Sequence, residues 1–208
     1  MNFLLIIDWL RIFSKAVRKK ILGKRELRKW LGQYSEKLLG QVGIESGQTV
    51  LDFACGEGNY TITVARIVGQ QGIVYAIDKD NKRLNKLKGY AESIDLKNIR
   101  ILNTSDNLII GLENESIDVV LLYDVLHYYY FPKERDRRQL LREIYRVLKP
   151  DGFLSLYPTH LDLNKKPDLD DVKKEIEDSN LHEEKEYSNL RMFHDGLIED
   201  GKIINFKR

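Results

Sequence analysis

The stretch of this chain best suited to chemistry is Val50-Leu51-Asp52-Phe53-Ala54-Cys55-Gly56-Glu57-Gly58-Asn59-Tyr60-Thr61, an apolar run ending in an acid, then a cysteine and two glycines. A strand, a Gly-x-Gly turn and a helix in that order present backbone N–H groups at a helix N-terminus. They lie beside the carboxyl end of the strand, where open α/β sheets bind ligands. Asp78 follows Gly56 by 22 positions and ends a second apolar run, where an acid can accept hydrogen bonds from both hydroxyls of a ribose. Together these features point to a nucleoside.

The charge of the loop narrows the choice. A pyrophosphate here would face Glu57, between the glycines, and Asp52, at the end of the feeding strand, and like charges at close range cost on the order of a kcal/mol each unless neutralised. Thr61 stands where a dinucleotide loop has its third glycine. The loop therefore suits a cationic nucleoside better than an anionic one. Cys55 lacks a basic neighbour that would activate it, and Glu57 would raise its pKa, so packing beneath the loop is expected.

A second group of reactive side chains follows a later apolar run. Asp124 and His127 stand together there, and His127, with an unperturbed pKa near neutrality, is the candidate general base; a role in shaping the pocket is the alternative. Tyr128, Tyr129, Tyr130 and Phe131 come next and could wall a planar or apolar acceptor, or pack on the following helix. His160 reads as a solvated loop histidine. His182 and His194 have no spaced partner set, so no metal site is expected.

The elements that must position these residues alternate. Strands are predicted at 49–54, 73–78, 99–103, 117–122 and 152–157, with helices at 59–69, 80–94 and 133–148, the pattern of a parallel sheet with crossover helices. Lys149-Pro150-Asp151-Gly152 should stop the last helix. A helix at 168–180 and strands at 184–194 and 202–207, joined through Asp200-Gly201, complete the expectation: a C-terminal antiparallel hairpin closing the sheet edge. Upstream, the apolar positions predict an amphipathic helix over 3–22 and another over 24–39.

With these motifs in order, residues 45–206 resemble a class I S-adenosylmethionine-dependent methyltransferase of the small-molecule type. VLDFACGEGNYT is similar to the family's first motif, AIDKD to its acidic ribose clamp, NTSDNL to the adenine segment, and SIDVVLLYDVLHYY with RVLKPDGFLSL to the fourth- and fifth-strand motifs. S-adenosylmethionine has no phosphate and carries a sulfonium and an ammonium, which acids beside the loop would attract. The resemblance implies a Rossmann-like three-layer α/β sandwich with a mostly parallel seven-stranded sheet. It also implies that Asp52, Ala54, Gly56, Glu57, Gly58 and Asn59 surround the methionine end, Asp78 and Lys79 the ribose, Ser105, Asp106 and Asn107 the adenine, and Tyr123 and Asp124 the cofactor side of the acceptor. The adenine segment reads Ser105-Asp106-Asn107 where the family usually has Gly-Asp-Ala, and the Asn/Asp-Pro-Pro-Tyr motif of enzymes acting on DNA bases is absent, with Tyr123-Asp124-Val125-Leu126 in its place. In-line methyl transfer implies no metal.

Composition bounds the rest. The chain of 208 residues suits one α/β domain, assigned to 45–208, with 1–44 as a helical extension. A single cysteine excludes an intrachain disulfide and favours a reducing, cytoplasmic setting. No run is long and apolar enough to span a bilayer, and FLLII lacks the flanks of an export signal. Residues 1–31 hold nine Lys or Arg against Asp8 and Glu26 in a chain whose net charge is +2, so the body is acidic. The extension fits a lid, a homodimer contact or a membrane surface through residues 1–22; nucleic acid is disfavoured because aromatic residues do not interleave with the basic face. The expected acceptor is a small or lipophilic molecule. A protein or RNA methyltransferase docking through the basic helix and a non-catalytic sensor of S-adenosylmethionine are the alternatives.

Overall fold

A computed structural model describes residues 22–102, 108–161 and 165–208. Seven strands, β1 (Thr49–Phe53), β2 (Ile73–Ile77), β3 (Ile99–Leu102), β4 (Ile117–Tyr123), β5 (Leu148–Tyr157), β6 (His182–His194) and β7 (Leu197–Lys207), form one sheet in the order β3-β2-β1-β4-β5-β7-β6. Pairing is parallel from β3 through β5, and β7 is antiparallel to both β5 and β6. The chain reverses direction of growth between β1 and β4, and their carboxyl ends open the crevice in which such sheets hold ligands.

The helices are α1 (22–33), α2 (Ser35–Gln41), α3 (Asn59–Val68), α4 (Asn81–Ser93), α5 (Glu134–Val147) and α6 (Leu169–Glu177). Period-two alternation along the central strands feeds two cores. Val50, Val119, Leu121 and Tyr123 face Leu38, Leu39, Val64 and Val68 of α2 and α3, while Leu51, Val120 and Leu122 face Leu140, Leu141 and Ile144 of α5 and Val172 and Ile176 of α6. This is the three-layer, Rossmann-like arrangement expected. Caps delimit two of the helices: Asp80 accepts the N–H groups of Lys82 and Arg83, and Asp168 forms a reciprocal capping box with Asp171.

Three boundaries differ from the sequence reading. The helix expected over 24–39 breaks at Tyr34 into α1 and α2. β5 begins at Leu148, which pairs with Ile117 before a register shift resumes the ladder at Val119 and Phe153, so Lys149-Pro150-Asp151-Gly152 is absorbed as a bulge. The hairpin turn is Asp195-Gly196, at φ 49° and 85°, and not Asp200-Gly201. Positive φ at both turn residues is the signature of a type I′ two-residue hairpin. Gly201 instead lies within β7, where a Cβ would stand 2.6 Å from Met192 Cγ and 2.9 Å from Tyr157 Cε2; it is a glycine of close approach. The helix expected over 3–22 lies almost wholly outside the described residues.

The remaining part of the extension packs on the body. Trp30, Leu39 and Val42 are fully buried, and Trp30 Nε1 donates to the Arg191 carbonyl at 2.7 Å.

One buried ion pair joins α5 to α6. Arg137 donates through Nε and Nη2 to Glu175 at 2.7 and 2.6 Å, and through Nη1 to the Phe131 carbonyl at 2.8 Å, so it also anchors the aromatic run. Their side chains are 5% and 7% exposed. Removing one partner of a buried pair leaves a charge without compensation, so Glu175→Ala is expected to destabilise by about 3–5 kcal/mol in urea titrations. Glu134→Ala, which breaks an exposed i,i+4 pair with Arg138, should change stability by only about 0.3–0.5 kcal/mol.

Candidate functional site

The loop after β1 is built from residues in left-handed conformations. Ala54 has φ 61°, Gly56 φ 61° and Gly58 φ 83°. For Ala54 this is a strained backbone, held by the Cys55 N–H donating to the Ile77 carbonyl at 2.9 Å. Gly58 caps α3, and a Cβ there would run into Leu87 of α4. Asp78 ties the loop to β2: its Oδ2 accepts the Gly56 N–H and its Oδ1 the Asp80 N–H, each at 2.8 Å. Each oxygen keeps acceptor capacity for a ligand hydroxyl.

Asp52 is buried, and Thr61 Oγ1 donates to its Oδ2 at 2.5 Å. The threonine that departs from the dinucleotide pattern thus satisfies the carboxylate at the strand end. Burial pushes the Asp52 carboxyl up to about 6, the Thr61 hydrogen bond opposing and the Asp78 charge adding to the rise. Among the described residues neither Asp52 nor Asp78 pairs with a cation. Glu57 does: its carboxylate meets Lys86 on the exposed side of the loop, so the acids that repel an anion here are Asp52 and Asp78. Burial, with the charges of Asp52 and Asp78 adding, raises the Cys55 thiol far above its ordinary range; Cys55 packs with Ile62, Ala76 and Leu87.

These residues open on a cleft of about 1100 Å³, at the upper end of small-molecule sites. Its far wall contains Tyr123, Asp124, Tyr130, Phe131, Tyr157 and His194. Asp124 sits at φ 61° just past β4, where Thr159 Oγ1 donates to its Oδ1. Burial alone would push its carboxyl up, but the polar hydrogens of His127, His194 and Thr159 around it hold it well below the usual range. His194 is pushed up to about 9, chiefly by Asp124 against the opposing effect of burial, with Glu199 adding. Its Nδ1 lies 3.0 Å from Glu199 Oε1 and its Nε2 3.5 Å from Asp124 Oδ2.

Most expected site residues meet on this cleft: Asp52, Ala54, Gly56, Glu57, Asn59, Asp78, Lys79, Tyr123 and Asp124 all line it. Gly58 does not; it serves the packing of α3 on α4. Ser105, Asp106 and Asn107 lie outside the described residues. His127 is 1% exposed and stands behind Asp124, not on the cleft wall. Its Nδ1 accepts the Tyr129 N–H at 3.2 Å, and its Nε2 lies 3.3 Å from Asp124 Oδ1 without the alignment of a hydrogen bond. Tyr128, Tyr129 and Tyr130 are exposed, while Phe131 packs toward the core. His160 is an exposed loop residue as expected, but it is not alone, and His194 does have partners: their Nε2 atoms are 3.1 Å apart and both face Asp124. The three residues come from three separate strand ends, so local spacing carried no signal of it.

A Gly-x-Gly loop at the switch point of a Rossmann-like sheet, with acids at the ends of β1 and β2 that have no cationic partner among the described residues, is suited to a cationic nucleoside. The profile described as a methyltransferase domain matches residues 51–156, over half of the chain. The chain is 30% identical over 126 residues to a demethylmenaquinone methyltransferase of Lactobacillus johnsonii, covering 61% of this chain and 50% of that protein. It is 34% identical over 85 residues to a probable cobalt-precorrin-6B C(15)-methyltransferase of Saccharolobus solfataricus, covering 40% and 43%. It thus spans about half the length of these relatives. In fold it matches a SAM-dependent methyltransferase from Aquifex aeolicus with a TM-score of 0.65 at 22% identity, over 91% of this chain and 98% of the other. The chain belongs to the class I S-adenosylmethionine-dependent methyltransferases.

The raised pKa of Asp52 has a thermodynamic consequence. Its folded value of about 6 exceeds the ordinary 3.8. Folding is therefore free of this penalty below about pH 4 and loses stability as pH rises through 6. Asp52→Asn should raise stability at pH 7.5 by on the order of 3 kcal/mol, because a tenfold difference in proton affinity between folded and unfolded chain is worth about 1.36 kcal/mol. The gain should vanish toward pH 4. Denaturant titrations at the two pH values check this.

Proposed function

We propose that this chain transfers a methyl group from S-adenosylmethionine to a small, lipophilic acceptor. The observation that carries the reading is the pair of buried acids, Asp52 and Asp78, which have no cationic partner among the described residues and flank a glycine loop that offers backbone donors. A ligand with cationic centres and ribose hydroxyls meets both demands. In this reading Asp52 and the loop around Gly56 face the methionine end, and Asp78 takes the ribose hydroxyls.

The acceptor then lies toward Asp124, Tyr130 and Phe131. Methyl transfer from a sulfonium is an in-line displacement: the acceptor forms a bond to the methyl carbon as the sulfur–carbon bond breaks, leaving a neutral thioether. Alignment and exclusion of water supply much of the acceleration. A lipophilic acceptor is supported by the exposed rings of Tyr128, Tyr129 and Tyr130, at 50%, 61% and 44%, and by relatives named for demethylmenaquinone and a precorrin. Such rings beside a cleft can hold planar or apolar molecules. The docking alternative rests on a basic segment of which residues 1–21 lie outside the described structure. Among the described residues no helix is long and apolar enough to cross a membrane.

Isothermal calorimetry should show binding of S-adenosylmethionine and S-adenosylhomocysteine, at least about tenfold weaker in Asp78→Ala, a loss of about 1.4 kcal/mol. NAD should not compete; preference for NAD would sink the reading. Incubating the protein and a labelled methyl donor with an organic extract should place label in the lipid-soluble fraction, and label confined to polypeptide or RNA would transfer the proposal to the docking alternative.

A further inference from the structure

Asp124, His160 and His194 do more than line a cleft. One donor atom from each lies within 4.8 Å of the others. Between nearest atoms, His160 Nε2 and His194 Nε2 are 3.1 Å apart, His194 Nε2 and Asp124 Oδ2 3.5 Å, and His160 Nε2 and Asp124 Oδ1 3.7 Å. A tetrahedral ion with bonds of about 2.0–2.1 Å sets its ligands about 3.3 Å apart, so small side-chain adjustments suffice to enclose one. We propose that these three residues form a divalent transition-metal site at the acceptor end of the cleft.

The surroundings are built as metal sites are. A histidine that binds a metal through one ring nitrogen commonly donates the other to a carboxylate, which orients the ring. His194 Nδ1 lies 3.0 Å from Glu199 Oε1, and that oxygen also accepts the Tyr157 hydroxyl at 2.8 Å. On the Asp124 side, Thr159 donates to Oδ1, and buried His127 Nε2, with no hydrogen-bond partner among the described residues, faces the same oxygen at 3.3 Å. Two of the three donors occupy left-handed backbone positions, Asp124 at φ 61° and His160 at φ 55°. Such strain in residues other than glycine concentrates at functional sites.

The donor set also indicates which ion fits. Two imidazoles and one carboxylate suit zinc or iron(II) over magnesium or calcium, which prefer oxygen alone. Three protein ligands leave a position open, as in catalytic and not structural sites. Asp124 and His194 line the cleft and His160 is exposed, so the open position is reachable. If the methyl-transfer reading holds, that position would take an acceptor hydroxyl oxygen. Metal binding would lower its pKa, the proton would pass to water, and the oxygen would form its bond to the methyl carbon as the thioether leaves. The site itself does not depend on that reading.

Untagged full-length protein, dialysed against zinc and then buffer, should retain about one equivalent by elemental analysis. Cobalt(II) in its place should give the visible absorption of a tetrahedral nitrogen–oxygen site. His160→Ala and His194→Ala should lose the bound metal while keeping circular dichroism and S-adenosylhomocysteine affinity. Glu199→Gln should weaken metal binding about tenfold or more through loss of the orienting carboxylate. Wild-type protein that retains no metal and gives no cobalt spectrum, or equal retention by His160→Ala and wild type, would overturn the site. Loss of S-adenosylhomocysteine binding by wild type would instead strike the methyltransferase reading and leave the metal result standing.

Discussion

Two carboxylates without counter-cations among the described residues, Asp52 and Asp78, stand at the ends of neighbouring parallel strands, and much of the site follows from holding them there. The register sets Phe53 beside Ile77, so that the residue after β2 and the residues leaving β1 emerge side by side. Buried carboxylates are tolerable only when hydrogen-bonded. Asp78 is satisfied by the Gly56 and Asp80 N–H groups, which forces the chain through left-handed turns at Ala54 and Gly56. Asp52 is satisfied by Thr61, which must then lie on the first turn of α3, and Gly58 must be small so that α4 can close beneath it. One electrostatic demand therefore fixes a backbone path, a residue choice and a helix contact.

The sheet and this half of the site were legible from sequence because their signals are local. Apolar runs alternate with helical stretches, and the loop, its helix and Asp78 fall within some thirty residues. In the far half Tyr123 and Asp124 were legible, but the partners of Asp124 were not. Asp124, Thr159, His160, His194 and Glu199 converge because β4, β5, β6 and β7 are neighbours in the sheet, a fact that no spacing rule encodes. The misplacement of the hairpin turn has the same origin. Asp195-Gly196 and Asp200-Gly201 are equivalent as turn signals, and the choice between them depends on tertiary packing: Gly201 lies against Met192 and Tyr157. Glu57 was misjudged for a related reason, since its partner Lys86 comes from α4.

The two halves also differ in how they manage charge. Around Asp52 and Asp78 the negative charge is left open, at the expense of stability, and becomes available to a cationic ligand. Around Asp124 it is internally balanced by the raised His194, itself braced by Glu199. The donor end is therefore prepared for a ligand that brings positive charge. At the other end the His194 imidazole, pushed up to about 9 chiefly by Asp124, already meets the carboxylate.

This arrangement favours the pocket-shaping alternative for His127 over the general base. Its Nδ1 accepts the Tyr129 N–H, so a neutral ring carries its proton on Nε2, the nitrogen that faces Asp124. In that tautomer Nε2 turns its hydrogen toward Asp124 Oδ1 at 3.3 Å without the alignment of a hydrogen bond, and the ring stands behind the cleft wall. His127 is thus a positioning residue: it directs a polar hydrogen toward Asp124, a carboxylate held in a strained backbone geometry, and its backbone carbonyl accepts the N–H groups of Tyr130 and Phe131 at 3.2 and 2.9 Å. The same side chain that orders the aromatic wall also helps to keep Asp124 ionised. In the proposed reaction, with His127 behind the cleft wall, an acceptor would either be nucleophilic as it arrives or lose its proton at the Asp124, His160 and His194 cluster, and its chemistry would be decided there and not in the buried histidine.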